Sequence, residues 1–287
     1  MNCDKLIKGK YVLPMDEKLS VIRDGFVAVL EGKILAVGAG EEIKNYEAQE
    51  TLDAGNSIIM PGLINAHTHA AMAYFRGLAD DLPFGVWLNE RVWPAENKYV
   101  NEAFVARSGE LSCLEMIKSG TTCFNDMYFF GQEIMAETVV RAGLRALLGI
   151  DFKNPELSIS HAVELAKKYK HQENVKITLA PHSVYACSRD TLEKVKQAAE
   201  AGGFRVHIHV SESEKEIADC RKTHDKSPVE YLDELGLLSD KLMAAHSIWL
   251  SDGDLKIFKD RGVKVAHCPV SNMKLTAGVA PLPKILK

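Results

Sequence analysis

Pro61-Gly62-Leu63-Ile64-Asn65-Ala66-His67-Thr68-His69 closes an apolar run, Ile58-Ile59-Met60, with two histidines two residues apart. In a β-strand, residues i and i+2 point to the same face. Both imidazoles can therefore reach one point in space, and a metal ion is the usual occupant of such a point. A chance surface His-x-His is the competing reading, and the motif alone does not separate the two.

Outward from this stretch the chain alternates. Apolar β-like runs at 58–65, 121–127, 144–151, 175–181, 204–210, 241–246 and 263–268 are separated by helical patterns at 101–119, 134–142, 160–169, 190–201, 227–235 and 252–261. In 101–119, Leu111, Leu114 and Ile117 recur at helical spacing. Strand–helix alternation predicts right-handed βαβ units and a parallel sheet. Seven such strands over 57–287 predict a (β/α)8 barrel lacking its last strand. A doubly wound open sheet is the rival, weakened because no G-x-G-x-x-G follows the first strand. Residues 1–56 instead hold short β-rich runs at 6–13, 25–30 and 33–38, punctuated by Gly-Lys, Asp-Gly and Glu-Gly pairs. They read as a small antiparallel unit, part of an N-terminal β-sandwich domain. A unit of about 55 residues with few large apolar groups needs a partner to bury its inner face.

The composition narrows the function classes. Hydrophobic residues make up 46% of the 287 and charged residues 26%, which suits a globular chain with a sizeable core. A net charge of −4 gives no attraction to nucleic acid or membrane surfaces. No apolar run reaches the roughly 18 residues of a membrane span, and Met1-Asn2-Cys3-Asp4-Lys5 does not open like a secretory leader. The six cysteines (3, 113, 123, 187, 220, 268) include no C-x-x-C pair and read as reduced thiols of a cytoplasmic protein. Cys113, Cys123 and Cys268 lie in apolar segments and read as core filler.

In barrels of this kind, chemistry sits at the C-terminal ends of the strands. Seven of the ten histidines fall at or beside such ends: His67, His69, His182, His207, His209, His246 and His267. His161, His171 and His224 fall in helices or loops. Several buried imidazoles converging on one rim are hard to explain by packing, since each needs its own hydrogen-bond partner. His67, His69 and His209 can supply three neutral nitrogens, a set suited to zinc or ferrous iron. His207 shares its face with His209 and is the rival ligand; His209 is preferred as nearer the strand end. Glu212 can reach a metal-activated water as general acid or base. On spacing alone, an exposed loop carboxylate beside Glu214 and Glu216 is slightly favoured.

These residues lie inside a longer set of ordered motifs. The 61–69 stretch resembles the first-strand signature of the amidohydrolase superfamily. Leu82-Pro83-Phe84-Gly85-Val86-Trp87-Leu88, Trp93-Pro94-Ala95-Glu96 and Ser119-Gly120-Thr121-Thr122 resemble its adenosine-type deaminase and chlorohydrolase branch. So do Ala180-Pro181-His182-Ser183-Val184-Tyr185, His209-Val210-Ser211-Glu212, Ala245-His246 and His267-Cys268-Pro269-Val270-Ser271-Asn272. The nearest resemblance is to the family deaminating 5'-methylthioadenosine and S-adenosylhomocysteine.

The resemblance implies a divalent metal, zinc ahead of iron, on His67, His69 and His209. It implies proton transfer by Glu212, which also contacts the purine, orientation of the attacking hydroxide by His246, and a nucleoside pocket lined by Trp87, Glu96 and His182, with Glu96 on the ribose hydroxyls. It implies hydrolytic deamination of an adenine nucleoside to its inosine analogue; guanine, cytosine or triazine hydrolysis and an inactive truncated homologue are the alternatives. Two departures stand out. The family places a metal-site aspartate on strand eight and builds its small domain from both chain ends, whereas no Asp follows Asp260. Either the sequence is a fragment or a second polypeptide completes it, so weak metal binding and little turnover are expected of this chain alone, and the open strand edge favours association of copies. The stretch Arg145-Ala146-Leu147-Leu148-Gly149-Ile150-Asp151 also has no arginine at the aligned position where many relatives place one on the substrate, which disfavours S-adenosylhomocysteine against smaller nucleosides.

Overall fold

Glu31 and Gly32 both take positive φ, 50° and 73°, as a tight two-residue hairpin demands and glycine supplies without steric cost. The turn joins β2 (Ile22–Leu30) to β3 (Lys33–Ala39), and β1 (Asn2–Val12) pairs antiparallel with β2. The structure, a computed structural model, describes residues 1–287 and separates into two units, Met1–Leu63 and Ile64–Lys287. The first unit corrects the antiparallel expectation. Here β4 (Glu47–Asp53) and the short β5 (Ile58–Ile59) both pair parallel with β1, giving one mixed five-stranded sheet. The polar β4 carries no hydrophobic alternation to reveal it. Its backbone ladder holds it, and register sets Lys5 against Glu50 and Lys8 against Asp53, which pair at 2.9 and 3.3 Å. Such exposed pairs, screened by solvent, contribute little. Asp24-Gly25, expected as a turn, lies inside β2 opposite Gly9, where a Cβ on Gly25 would meet Val12 at 2.8 Å. The unit's core is a small cluster of Cys3, Leu6, Phe26 and Ala28.

In the second unit seven strands form one sheet in the order of the chain: β6 (Leu63–Thr68), β7 (Thr121–Tyr128), β8 (Arg145–Ile150), β9 (Val175–Leu179), β10 (Val206–Val210), β11 (Leu242–His246) and β12 (Lys264–Ala266). The recorded pairings from β7 to β12 are all parallel. The run expected as one strand over 58–65 is split, because Pro61 lacks the N–H a continuing ladder needs. Ile58–Ile59 stay in the first sheet and the barrel strand starts at Leu63. All five residues of β10 are buried, as expected of strands covered on both faces. Phe124, Leu148, Leu179, Leu192, Ile208 and Leu242 are buried almost completely, each stabilising by about 1.5–3 kcal/mol.

The helix Glu102–Lys118 starts where Asn101 caps Phe104 N–H at 3.0 Å, a placement worth about 1 kcal/mol. Its inner face is not the one the apolar spacing suggests. Leu114 and Ile117 are 54% and 48% exposed, and the buried residues are Val105, Ser108, Gly109, Ser112, Cys113 and Met116. Small residues win because the neighbours come too close for large ones. The Ser108 and Ser112 hydroxyls donate to the carbonyls of Ala71 and Ala70 at 2.7 and 2.5 Å, and a Cβ on Gly109 would lie 2.8 Å from Met135 Cε. We expect Gly109→Leu to lower stability in urea titration by about 1–3 kcal/mol. Leu114→Ala should change it by less than about 0.5 kcal/mol. The reverse order would mean that the helix buries the other face.

Candidate metal centre

At the C-terminal rim of the second unit the ring nitrogens of His67, His69 and His209 lie within 4.8 Å of one another. Strand geometry places them: His67 lies in β6, His69 one residue beyond it, and His209 near the end of β10. Their outer nitrogens are anchored. His69 Nδ1–H donates to the Met127 carbonyl at 2.5 Å and His209 Nδ1–H to the His182 carbonyl at 2.7 Å. Each bond leaves Nε2 as the free lone pair, and those two atoms are 3.3 Å apart. His67 Nδ1 faces His207 Nε2 at 2.9 Å. His207, the rival ligand, therefore stands behind His67 and outside the three-nitrogen cluster. Burial first, and mutual repulsion second, hold the His67 and His209 pKa well below the ordinary imidazole value. Three neutral, oriented imidazoles fit a divalent ion. A second grouping of His67, His246 and Cys268 fits poorly. Burial pushes the Cys268 thiol up to about 11, and the thiol donates to Ala266 O at 3.3 Å, whereas a ligand must be thiolate.

Glu212 is buried, not the exposed loop carboxylate that spacing favours. Its Oε1 lies 3.4 Å from His246 Nε2. Burial, then the Glu216 charge, raises Glu212 to about 8. Burial lowers His246 to about 4 against an opposing hydrogen bond from its Nδ1–H to Asn272 Oδ1 at 2.9 Å. Near neutrality the contact thus joins a carboxylic acid to a neutral imidazole and is not an ion pair. Ser211, His246 and Ser247 adopt positive φ of 55°, 69° and 49°, a strain that accumulates at functional sites. Ser247, Ile248 and Trp249 N–H groups pin these turns by donating to Val210 and Ser211 carbonyls at 3.0 Å.

Glu216 is buried as well, at 3% exposed. Ser213 caps the helix Glu214–His224 by accepting from Glu216 N–H. The Glu216 carboxylate reaches back to the N–H groups of Ser211 and Glu212 at 3.1 and 2.8 Å. It fixes the loop that carries Glu212. The signal was legible as Ser-x-x-Glu, the capping-box spacing.

The cluster floors a cavity of about 680 Å³ whose wall includes Trp87, Glu96, Lys153 and His182, a size typical of small-molecule sites. Glu96 is 7% exposed and raised to about 7 by burial, opposed by the adjacent Tyr128 hydroxyl and Lys153. Trp87 begins a π-helical stretch, Trp87–Val92, and stacks on Phe84 at 6.1 Å. The His182 ring lies 4.6 Å from that of His209, and burial takes its pKa to about 4. Two expectations fail on the strand alternation after β12. His267 is exposed, while Cys268, expected as core filler, faces the cavity. Asp126 was not anticipated: buried on β7, it accepts Ala70 N–H at 2.6 Å and ties the segment after His69 to the neighbouring strand.

The amidohydrolase family pattern matches residues 58–287. The chain belongs to the amidohydrolase family. Among relatives, it is 43% identical over 293 residues to a 5-methylthioadenosine/S-adenosylhomocysteine deaminase of Thermodesulfovibrio yellowstonii, covering 98% of this chain and 66% of that protein. It is 42% identical over 294 residues to a 5'-deoxyadenosine deaminase of Methanosarcina mazei, covering 99% and 66%. Among solved structures it resembles a zinc-bound adenosine deaminase from Xanthomonas campestris with a TM-score of 0.96 and 35% identity, covering 99% and 67%. The amidohydrolase chain described here thus spans 66% of the length of the two curated relatives. No helix is long and apolar enough to cross a membrane.

The buried acids set a pH dependence. Glu212 at about 8, and Glu96, Asp126 and Glu216 at about 7, bind more protons folded than unfolded above the ordinary carboxylate pKa. Stability from them is full at low pH and is lost as pH rises through 7 to 8. The histidines act oppositely, with His182 and His246 at about 4 and His207 at about 3. Their effect is spent once pH passes about 6.5, where the unfolded imidazoles also lose their protons. The chelator-treated chain should therefore melt at progressively lower temperature from about pH 6.5 to pH 8 and level off above. Glu212→Gln should shrink that decline. A melting temperature constant across this range would contradict the buried, protonated state of these carboxyls.

Proposed function

We propose that this chain forms the barrel of a metal-dependent aminohydrolase that deaminates an adenine nucleoside. The substrate class is 5'-methylthioadenosine, S-adenosylhomocysteine, 5'-deoxyadenosine or adenosine. The observation that carries the reading is the buried Glu212 Oε1 facing His246 Nε2 at 3.4 Å in the cavity floored by the three-imidazole cluster. His67, His69 and His209 are the proposed ligands, with zinc the metal their neutral nitrogens favour. When bound there, the ion supplies Lewis acidity and brings the pKa of a water toward neutrality.

The side chains then move two protons. His246 Nε2 has a free lone pair because its Nδ1–H is given to Asn272. As the C6–O bond forms, His246 takes a proton from the attacking water and Glu212 delivers its own to N1 of the purine. On collapse, Glu212 recovers the proton of the new C6 hydroxyl and His246 protonates the 6-amino nitrogen. The C6–N bond breaks, ammonia and an inosine-type product leave, and both side chains are restored. Glu96 accepts from the ribose hydroxyls, Trp87 offers an aromatic face, and His182 contacts the nucleoside. Lys153, the one lysine or arginine on the cavity wall, is the group available to a substrate carboxylate.

The test is ammonia release by the zinc-loaded chain from the four nucleosides, with guanine and cytosine as comparators. Nucleosides should be preferred, and the same order should appear in equilibrium binding if turnover is slow. Glu212→Gln should lower kcat by about 10²–10⁴-fold with little change in nucleoside affinity, and Glu96→Ala should weaken nucleoside binding. Binding or turnover of guanine or cytosine with none for the nucleosides would overturn the proposal.

A further inference from the structure

The three imidazoles of the cluster are not held alike. His69 and His209 are oriented by main-chain carbonyls, those of Met127 and His182. The outer nitrogen of His67 meets a side chain, Nε2 of His207, at 2.9 Å. The two rings meet edge-on, with centroids 4.9 Å apart and planes at 87°. His207 is 1% exposed, the second residue of the fully buried β10, and its own Nδ1 has no hydrogen-bond partner.

One contact between two neutral imidazoles admits two proton arrangements. His67 can donate through Nδ1–H to His207 Nε2, which leaves His67 Nε2 bare and puts the His207 proton on its unpartnered Nδ1. Alternatively His207 Nε2–H donates to His67 Nδ1, which leaves the His67 proton on Nε2, facing the cluster and blocking a metal bond. Only the first arrangement lets His67 act as a ligand.

We infer that His207 is the positioning residue of the metal site, accepting the His67 Nδ1 proton and so holding His67 as a ligand. This rests on the metal reading proposed above. The unpartnered Nδ1–H of His207 is the cost of the arrangement, since a buried orphan donor is unfavourable. An apolar residue at this position would remove that cost but also the acceptor for the His67 Nδ1 proton.

The experiment compares His207→Gln, whose side-chain oxygen can accept the same proton, with His207→Phe, which cannot. Cobalt(II) is the probe, in chelator competition on the full 287-residue chain, with its visible absorption recorded and folding checked by circular dichroism. The Phe variant should bind cobalt about 10–100-fold more weakly, the range typical of a lost ligand partner, with an altered absorption band. The Gln variant should stay within about threefold of the parent and keep the parental band. A folded Phe variant with parental affinity and spectrum overturns the inference, as does equal loss in both variants. If the Phe variant does not fold, histidine nitrogen NMR of the zinc-loaded parent decides: His207 protonated on Nδ1 supports the inference, and protonated on Nε2 overturns it. A parent chain that takes up no cobalt, and matches His67→Ala in this respect, overturns the metal reading itself and this inference with it.

Discussion

Four imidazole rings crowd around His67, those of His69, His207 and His209 at 4.9 Å and that of His246 at 5.1 Å between centroids. Water is largely excluded from this group, so none of its members can carry a proton cheaply. Burial is the first cause of every downward histidine shift here, and repulsion between the rings adds to it at His67 and His209. The result is a knot of neutral nitrogen donors inside an apolar barrel. Each nitrogen of such a group that meets no hydrogen, carbonyl or cation costs stability, and His207 Nδ1 is the one left without a partner. The strained turns, the Asn272 contact and the two main-chain carbonyls all reduce that cost.

The carboxyls obey the complementary rule. Glu212, Glu216, Asp126 and Glu96 are buried and raised toward or above neutrality. Buried bases stripped of protons beside buried acids that keep them make a store of transferable protons with little net charge. Glu216 connects this chemistry to helix formation, because its carboxylate holds the Glu212 loop while its own N–H donates to the Ser213 cap of the following helix. The catalytic proposal and the local folding of that segment therefore depend on the same side chain.

The alternation of apolar runs with helical patterns was enough to read the parallel barrel, since buried parallel strands and amphipathic helices differ in period. The N-cap residues Asn101, Ser188, Ser213, Ser227 and Ser251 fix where helices start, through contacts within their own first turns. Position on the strand ends also brought His67, His69, His209 and His246 into view. What escaped was whatever depends on a distant neighbour. Polar β4 is a strand only because β1 lies beside it. The helix Glu102–Lys118 buries serines and glycine because of what it packs against. Glu216, Asp126 and the distinct place of His207 are set by contacts across the rim, which no window of sequence contains. His267 lies just past the strand, which ends at Ala266, and is exposed.

The anchoring of His69 and His209 by main-chain carbonyls bears on how such a chain can vary. A carbonyl belongs to the path of the backbone, so the residues at 127 and 182 can change identity without withdrawing the atom that accepts the bond. Two of the three imidazole orientations are thus inherited with the fold itself and tolerate sequence drift around them. Only the third is written in a side chain, and mutation there acts on the site without any change in the backbone.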